Sequence, residues 1–275
     1  PSRPNWAAAW YDLYKISAAD ALDISATFMQ NKLSNYKNDR DYPDKNATSV
    51  LSAYLHVGLI SPKQIYFQTL EYPATDGAIH FVSELGWREF AYYLLYHYPK
   101  LPTENFDRKF DNFIWENDPE NLRRWQKGLT GYPIIDAGMR QLWQTGWMHN
   151  RVRMLVASFL TKNLLIDWRK GADWFADCLI DADLAANSAS WQWVAGSGAD
   201  SATYFRIFNP VTQSAKFAAN GEYIRKWLPE LAELNDQEIH CPSDRRNYPK
   251  PIVDLKVSRQ RALANFDLIR KGSSN

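Results

Sequence analysis

Residues 146–160, GWMHNRVRMLVASFL, begin with a histidine, an asparagine, two arginines and two methionines and end apolar. On a helix of about 3.6 residues per turn, Asn150 and Met154 sit one above the other, with Arg151 on the same broad side. Arg153 lies two residues beyond Arg151 and points elsewhere. The stretch MLVASFL is apolar on nearly all sides, so the helix enters a core and takes Arg153 partly with it. A buried guanidinium without a partner costs several kcal/mol, so it needs a carboxylate or an anionic ligand. The helix alone favours the plainer choice, an Arg–carboxylate pair.

Residues 181–193, DADLAANSASWQW, offer the carboxylates. Asp181 and Asp183 precede a run of small apolar residues, and Asn187 is placed to cap the next helix. On that helix Trp191 and Trp193 diverge by about 200° and serve different surroundings, ordinarily one core and one surface. Metal binding by the two aspartates is weakly supported, because no His stands at ligand spacing. Glu84, Trp87 and Arg88 fall on one helix face at i, i+3 and i+4. That face makes either a salt bridge beside a core Trp or a pocket wall that stacks and hydrogen-bonds a base. Thr48, Ser49 and Ser52 put hydroxyls near a helix start, where exposed N–H groups suit a phosphate and N-capping is the simpler use. Of the five histidines, only His149 stands in a suggestive place. No Gly-rich phosphate loop with Lys, Cys cluster or nucleophile elbow is present.

The elements that must position these side chains are helical almost throughout. Ser17 is placed to cap a helix whose face carries Leu22, Ser25, Met29 and Leu33. TSVLSAYLHVG reads as a short helix stopped by Gly58, and SPKQIYFQTL as one capped by Ser61 with Pro62 at its first position. AIHFVSELGWREFAYYLLYHYP is a long helix ended before Pro99. Further starts fall near Pro119, Pro133, His149, Gly171, Asn187 and Glu222, with loops at 42–48 and 101–119. Alternating strand patterns are scarce and repeats are absent. The fold class is all-α, in one domain over residues 1–275, with a disordered tail at 271–275.

With 275 residues and 45% hydrophobic content the chain can bury a sizeable core. A net charge of +1 decides nothing about nucleic acid; only a local basic patch would. Two cysteines, Cys178 and Cys241, fit a reducing compartment rather than a disulfide framework. No signal peptide or spanning segment is seen, so a cytoplasmic protein without a membrane partner is expected. Twelve Trp suggest either a Trp-rich core or an aromatic-lined pocket or electron route, and composition favours the core.

Taken in order, RDYPDKNATSVLS, ELGWREF, TGYPIIDAGMRQL, TGWMHNRVRM, DADLAANSASWQWVAGSGAD and YFRIFNP resemble the DNA photolyase and cryptochrome family. The likeness covers most of the chain from about residue 36 to residue 229, and its density makes it far more specific than one short pattern. It implies a multi-helical FAD-binding domain of the photolyase/cryptochrome type, without the family's N-terminal α/β antenna domain. FAD, reduced in the active form, is implied in a U shape at the base of a cavity. No antenna pigment is expected in this chain. Residues 1–16 then read as an interdomain linker remnant, and the chain as a fragment of a longer protein or as an antenna-free form.

Carried over by resemblance, Tyr36, Thr48, Ser49, Leu51 and Ser52 match positions that hold the FAD phosphates. Arg153 and Asp181 match an ion pair beside the isoalloxazine ring, Asp183 a carboxylate by the ribityl and flavin edge, and Asn187 the side chain facing flavin N5. The family's (6-4) photolyases place His where Asn150 and Met154 stand, so the pattern is that of a class I cyclobutane pyrimidine dimer photolyase. Glu84 then resembles the carboxyl that hydrogen-bonds the dimer, with Asn150 and Met154 against it and Trp87 and Trp193 as aromatic walls. Arg40, Arg88, Arg151, Arg206 and Gln213 match positions facing substrate or DNA at the rim. Trp191, Trp168 and Trp115 match the electron-transfer chain; Trp125 matches no such position. The implied activity is light-driven dimer repair in UV-damaged DNA, with the lesion flipped out of the duplex.

Val50 stands where a basic or polar residue is frequent, NSASW departs from Asn-Asn-Gly-Gly-Trp, and Thr203 replaces a frequent Pro. Two other classes of function compete. One is a cryptochrome-like photoreceptor that keeps FAD without repair, against which the full lesion pocket argues. The other is a flavin-free helical DNA-binding domain.

Overall fold

Ser17 and Asp20 form a reciprocal capping box, each side chain accepting the other's backbone N–H, and so start α1 (Ala18–Asn31). This cap sets the phase of the helix. Ala21, Ser25, Phe28 and Met29 turn inward, whereas Leu22, expected on that face, is 41% exposed. A computed structural model gives the structure, which describes residue 5 and residues 7–201, 205–243 and 247–272. Thr203, the rest of the 1–16 segment and residues 273–275 of the expected tail lie outside the described residues.

The first half of the chain continues through α2 (Tyr36–Asp39), α3 (Ser52–His56), α4 (Pro62–Leu70) and α5 (Asp76–His97). Ser61 and Gln64 cap α4 in a second box with Pro62 at its first turn, as its sequence predicts. The expected helix from Thr48 begins only at Ser52. Val50 adopts a φ of 50°, a left-handed conformation that strains a β-branched residue and interrupts the helix ahead of Leu51.

The second half contains α6 (Pro119–Gln126), α7 (Pro133–Thr145), α8 (Asn150–Ser158), α9 (Trp168–Cys178), α10 (Leu184–Ala195), α11 (Pro210–Phe217), α12 (Glu222–Trp227) and α13 (Leu255–Gly272). A π turn at Phe159–Asn163 extends α8 without a break. Three expectations are corrected. α9 starts at Trp168, capped by Asp167, and Gly171 lies inside it. A Cβ at Gly171 would stand 2.1 Å from the Trp191 ring, so this glycine allows close packing and does not mark a terminus. α10 is capped by Asp183, which accepts the Ala186 N–H, while Asn187 falls in its first turn. Lys271 and Gly272, read as tail, belong to α13.

Two large cores result. One gathers α1 to α5 around Phe28, Leu51, Ile65 and Phe81. The other gathers α6 to α10 and α12 around Trp125, Leu142, Val156, Trp168 and Trp191. Part of the expected linker remnant is ordered: Ala8–Asp12 forms a 3-10 helix, and the Tyr14 hydroxyl donates to the Thr145 carbonyl at 2.6 Å. The described residues include no strand, no metal-binding cluster and no helix long and apolar enough to cross a membrane.

Candidate functional site

A cavity of about 640 Å³ opens along the seam between the two cores, within the usual range of about 300–1,000 Å³ for ligand pockets. One core contributes Leu51, Ile65 and Phe81 to its walls, and the other contributes Phe175, Trp191 and Val194. Most of the site residues predicted from the sequence meet there: Tyr36, Ser49, Leu51 and Ser52; Glu84, Trp87 and Arg88; Asn150, Arg153 and Met154; and Asp181, Asp183, Asn187, Trp191 and Trp193 all line it. Arg40 joins them.

α8 divides its side chains as the spacing requires. The Asn150 amide nitrogen lies 3.9 Å from Met154 Sδ on the cavity face. Arg151 turns to Asp41 at 2.5 Å and lies over the Phe217 ring at 4.3 Å. Arg153 donates to the Met148 carbonyl at 2.7 Å and to Asp181 at 2.9 Å. Burial works against the Asp181 charge, but Arg153 outweighs it and holds the carboxyl below its usual range. His149 caps the helix by accepting the Arg151 N–H through Nδ1 at 3.2 Å. Burial pushes its pKa down to about 4, so it is neutral at physiological pH.

On α5 the expected Glu84–Arg88 pair does not form. Glu84 binds Arg40 instead. Arg40 Nη1 also donates to His80 Nε2 at 3.0 Å, one turn earlier on α5. Arg88 pairs with Glu89 at 3.0 Å and reaches the Tyr92 hydroxyl at 3.3 Å. Trp87 is 53% exposed, which rules out a core Trp and leaves its ring on the cavity wall. Tyr92 donates to Asp183, and His56 Nδ1 stands 3.7 Å from the same carboxylate. Burial pushes the Tyr36 hydroxyl up to about 12, so it remains a donor. The Asn187 amide donates to the Ala172 carbonyl of α9 at 2.9 Å, which fixes its orientation.

Other predicted residues lie apart from this lining. Thr48 presents its carbonyl to Lys32 at 3.5 Å. Gln213 is on α11, and Arg206 lines a neighbouring cavity with its guanidinium carbon 6.0 Å from the Trp193 ring centre. Trp168 is fully buried, its Nε1 donating to Asn105 at 2.9 Å, and the half-buried Trp115 packs on Phe113. Trp191 meets Phe175 and Trp125 edge-on, with ring centres 5.0 and 6.3 Å away. Asp41, His56, His80, Tyr92 and Phe175 were missed from the sequence. His80 and Tyr92 carried a signal, since they extend the face of Glu84 and Arg88 by one turn each way. Asp41 had none.

Residues 81–268 match the family described as the FAD binding domain of DNA photolyase. This chain belongs to that family. It is 47% identical to the deoxyribodipyrimidine photo-lyase of Agrobacterium fabrum, over 98% of this chain and 60% of that protein. It is 48% identical to the Escherichia coli enzyme of the same name, over 89% of this chain and 54% of that protein. A crystal structure named as a bacterial class III photolyase from Agrobacterium tumefaciens superposes with a TM-score of 0.93, at 47% identity, over 98% of this chain and 60% of that one. The cryptochrome of Synechocystis superposes at 0.87 with 34% identity, over 91% and 56%. The chain thus spans little more than half the length of these photolyase relatives. The class I assignment implied by the motifs gains no support from a neighbour named class III.

The cavity residues fit FAD by their own chemistry. Hydroxyls of Ser49 and Ser52, a buried Arg–carboxylate pair, an oriented Asn187 amide and apolar walls share one space.

Proposed function

We propose that this domain holds FAD in the seam cavity and repairs cyclobutane pyrimidine dimers in UV-damaged DNA with blue light. The carrying observation is that the Arg153–Asp181 pair and the set Glu84, Trp87, Asn150, Met154 and Trp193 line one cavity. Bound and reduced, FAD supplies the light-excited electron that opens the cyclobutane ring.

Tyr36, Ser49, Leu51 and Ser52 would hold the phosphates from the cavity wall, whereas Thr48 stands outside that lining. Arg153 and Asp181 would hold the flavin ring, and Asp183 its ribityl side. Asn187, its nitrogen committed to Ala172, offers its amide oxygen to the flavin. Glu84 hydrogen-bonds the dimer from a carboxylate already steadied by Arg40. Asn150 takes a base edge, Met154 packs on the lesion, and Trp87 and Trp193 stack against the flipped bases, each such contact contributing roughly 1–3 kcal/mol. Trp191, Trp168 and Trp115 carry electrons between cavity and surface. Arg40, Arg88, Arg151, Arg206 and Gln213 face the DNA. Arg40 and Arg151 are already paired with Glu84 and Asp41, so the salt dependence of binding is shallower than the number of arginines alone implies.

The test is the visible spectrum after FAD loading, followed by illumination of the reduced protein with dimer-containing DNA. Loss of dimers is expected. Unchanged lesions beside a flavin-loaded protein would instead favour a photoreceptor without repair activity, and absence of flavin bands after loading would favour a flavin-free DNA-binding domain.

A further inference from the structure

Lys162 is 2% exposed, and its ammonium has an unusual set of partners. Nζ donates to the Arg206 carbonyl at 2.9 Å and lies 3.8 Å from the centre of the Phe205 ring. Among the described residues no carboxylate lies within ion-pair distance of it. Burial and the like charge of Arg206 push its pKa down to about 7. An apolar side chain of similar volume would fill the site without the cost of desolvating an ammonium. The Nζ donor therefore has a use that packing alone does not supply: it binds the Arg206 carbonyl.

That use is visible in the neighbouring backbone. Lys162 lies in the π turn after α8, where the Leu164 N–H reaches back to the Phe159 carbonyl at 3.0 Å. Such widened turns recur at functional positions. One turn earlier, Ser158 Oγ accepts the Phe208 N–H at 3.4 Å. Segment 205–208 is thus tied at two points to the continuous helix that carries Asn150, Arg153 and Met154. The Phe205 ring is also stacked on Phe266 of α13, with centres 4.5 Å apart. Lys162 further lines a second cavity of about 420 Å³, which shares Trp193, Val194, Ala199 and Asp200 with the large one.

We propose that Lys162 is a positioning residue: it clamps segment 205–208 through the Arg206 carbonyl and so seats Arg206 beside Trp193 on the cavity wall. The DNA part of this role rests on the reading above of Arg206 and Trp193 as DNA-facing. The clamp itself does not.

The flavin-loaded chain carrying K162M tests the clamp by hydrogen–deuterium exchange. Exchange at amides 205–208 should accelerate about tenfold, consistent with loss of the hydrogen bond from Lys162 to the Arg206 carbonyl. Exchange in α8 and flavin absorbance should be unchanged, and K162R should restore slow exchange. With a duplex containing one thymine dimer, K162M should lose about tenfold in affinity, with no further loss in K162M/R206A beyond R206A. Parental exchange at 205–208 in K162M overturns the proposal, as do additive losses in the double variant. K162Q is the second variant; failure of both K162M and K162Q to fold also overturns it, because Lys162 then supports the whole domain. If the unsubstituted protein prefers no damaged duplex, the DNA reading fails while exchange still decides the clamp.

Discussion

The Arg153 guanidinium meets Asp181 at 2.9 Å, and the carboxylate side chain is only 3% exposed while the arginine keeps 24%. One helix supplies the cation, the segment ahead of α10 supplies the anion, and both residues line the cavity. Removing the arginine leaves a buried charge unpaired. Arg153→Met should therefore lower stability by about 3 kcal/mol, read by denaturant melting, and weaken flavin retention. Arg153→Met/Asp181→Asn should recover part of that stability. A single variant that melts like the parent would show that the pair contributes little.

Glu84→Ala removes the carboxylate proposed to hydrogen-bond the dimer and also releases Arg40. Dimer repair at fixed light dose should slow about tenfold or more, while flavin absorbance stays at parental levels. Loss of flavin together with repair would place Glu84 among the cofactor contacts instead.

His149 gives the stability a pH dependence. Its pKa falls from 6.5 to about 4 on burial, so only the unfolded chain takes up a proton between those values. Stability is full above about pH 6.5 and declines as the pH drops towards 4, by up to about 3 kcal/mol from this group. In His149→Asn, which keeps a capping oxygen, urea midpoints should fall less across that window. An equal slope in both proteins would remove His149 as its source.

Two glycines in helices should respond oppositely to alanine. A Cβ at Gly171 meets the Trp191 ring at 2.1 Å and Leu160 at 2.6 Å, whereas one at Gly86 meets nothing within 4 Å. Gly171→Ala should destabilise by about 1–3 kcal/mol and perturb the Trp191 environment. Gly86→Ala should stabilise by about 0.5–1 kcal/mol. Thermal melts of the two variants give the signs, and shifts in the same direction would contradict this packing.

Much of the site was readable along single helices. Asn150 over Met154, Arg151 and Arg153 turning apart, and Trp191 buried while Trp193 stays half-exposed all follow from helical spacing. The glycine and cap assignments on α9 and α10 failed, because whether Gly171 ends a helix or admits a ring depends on a partner far along the chain. The same holds for Glu84: Arg88, four residues away, was available to pair with it, but Arg40 took that place from another helix.

By itself, the sequence determined the helical class, the position of most helices, and which side chains share a face, because these depend on spacing and on residues within one or two turns. Its motifs also carried the family resemblance. Tertiary structure decided which face meets which: that two cores leave a cavity between them, that Asp41 pairs with Arg151, and that Lys162 is buried under segment 205–208. Those pairings join residues far apart in the chain, and only the packed fold fixes the distances that make them favourable.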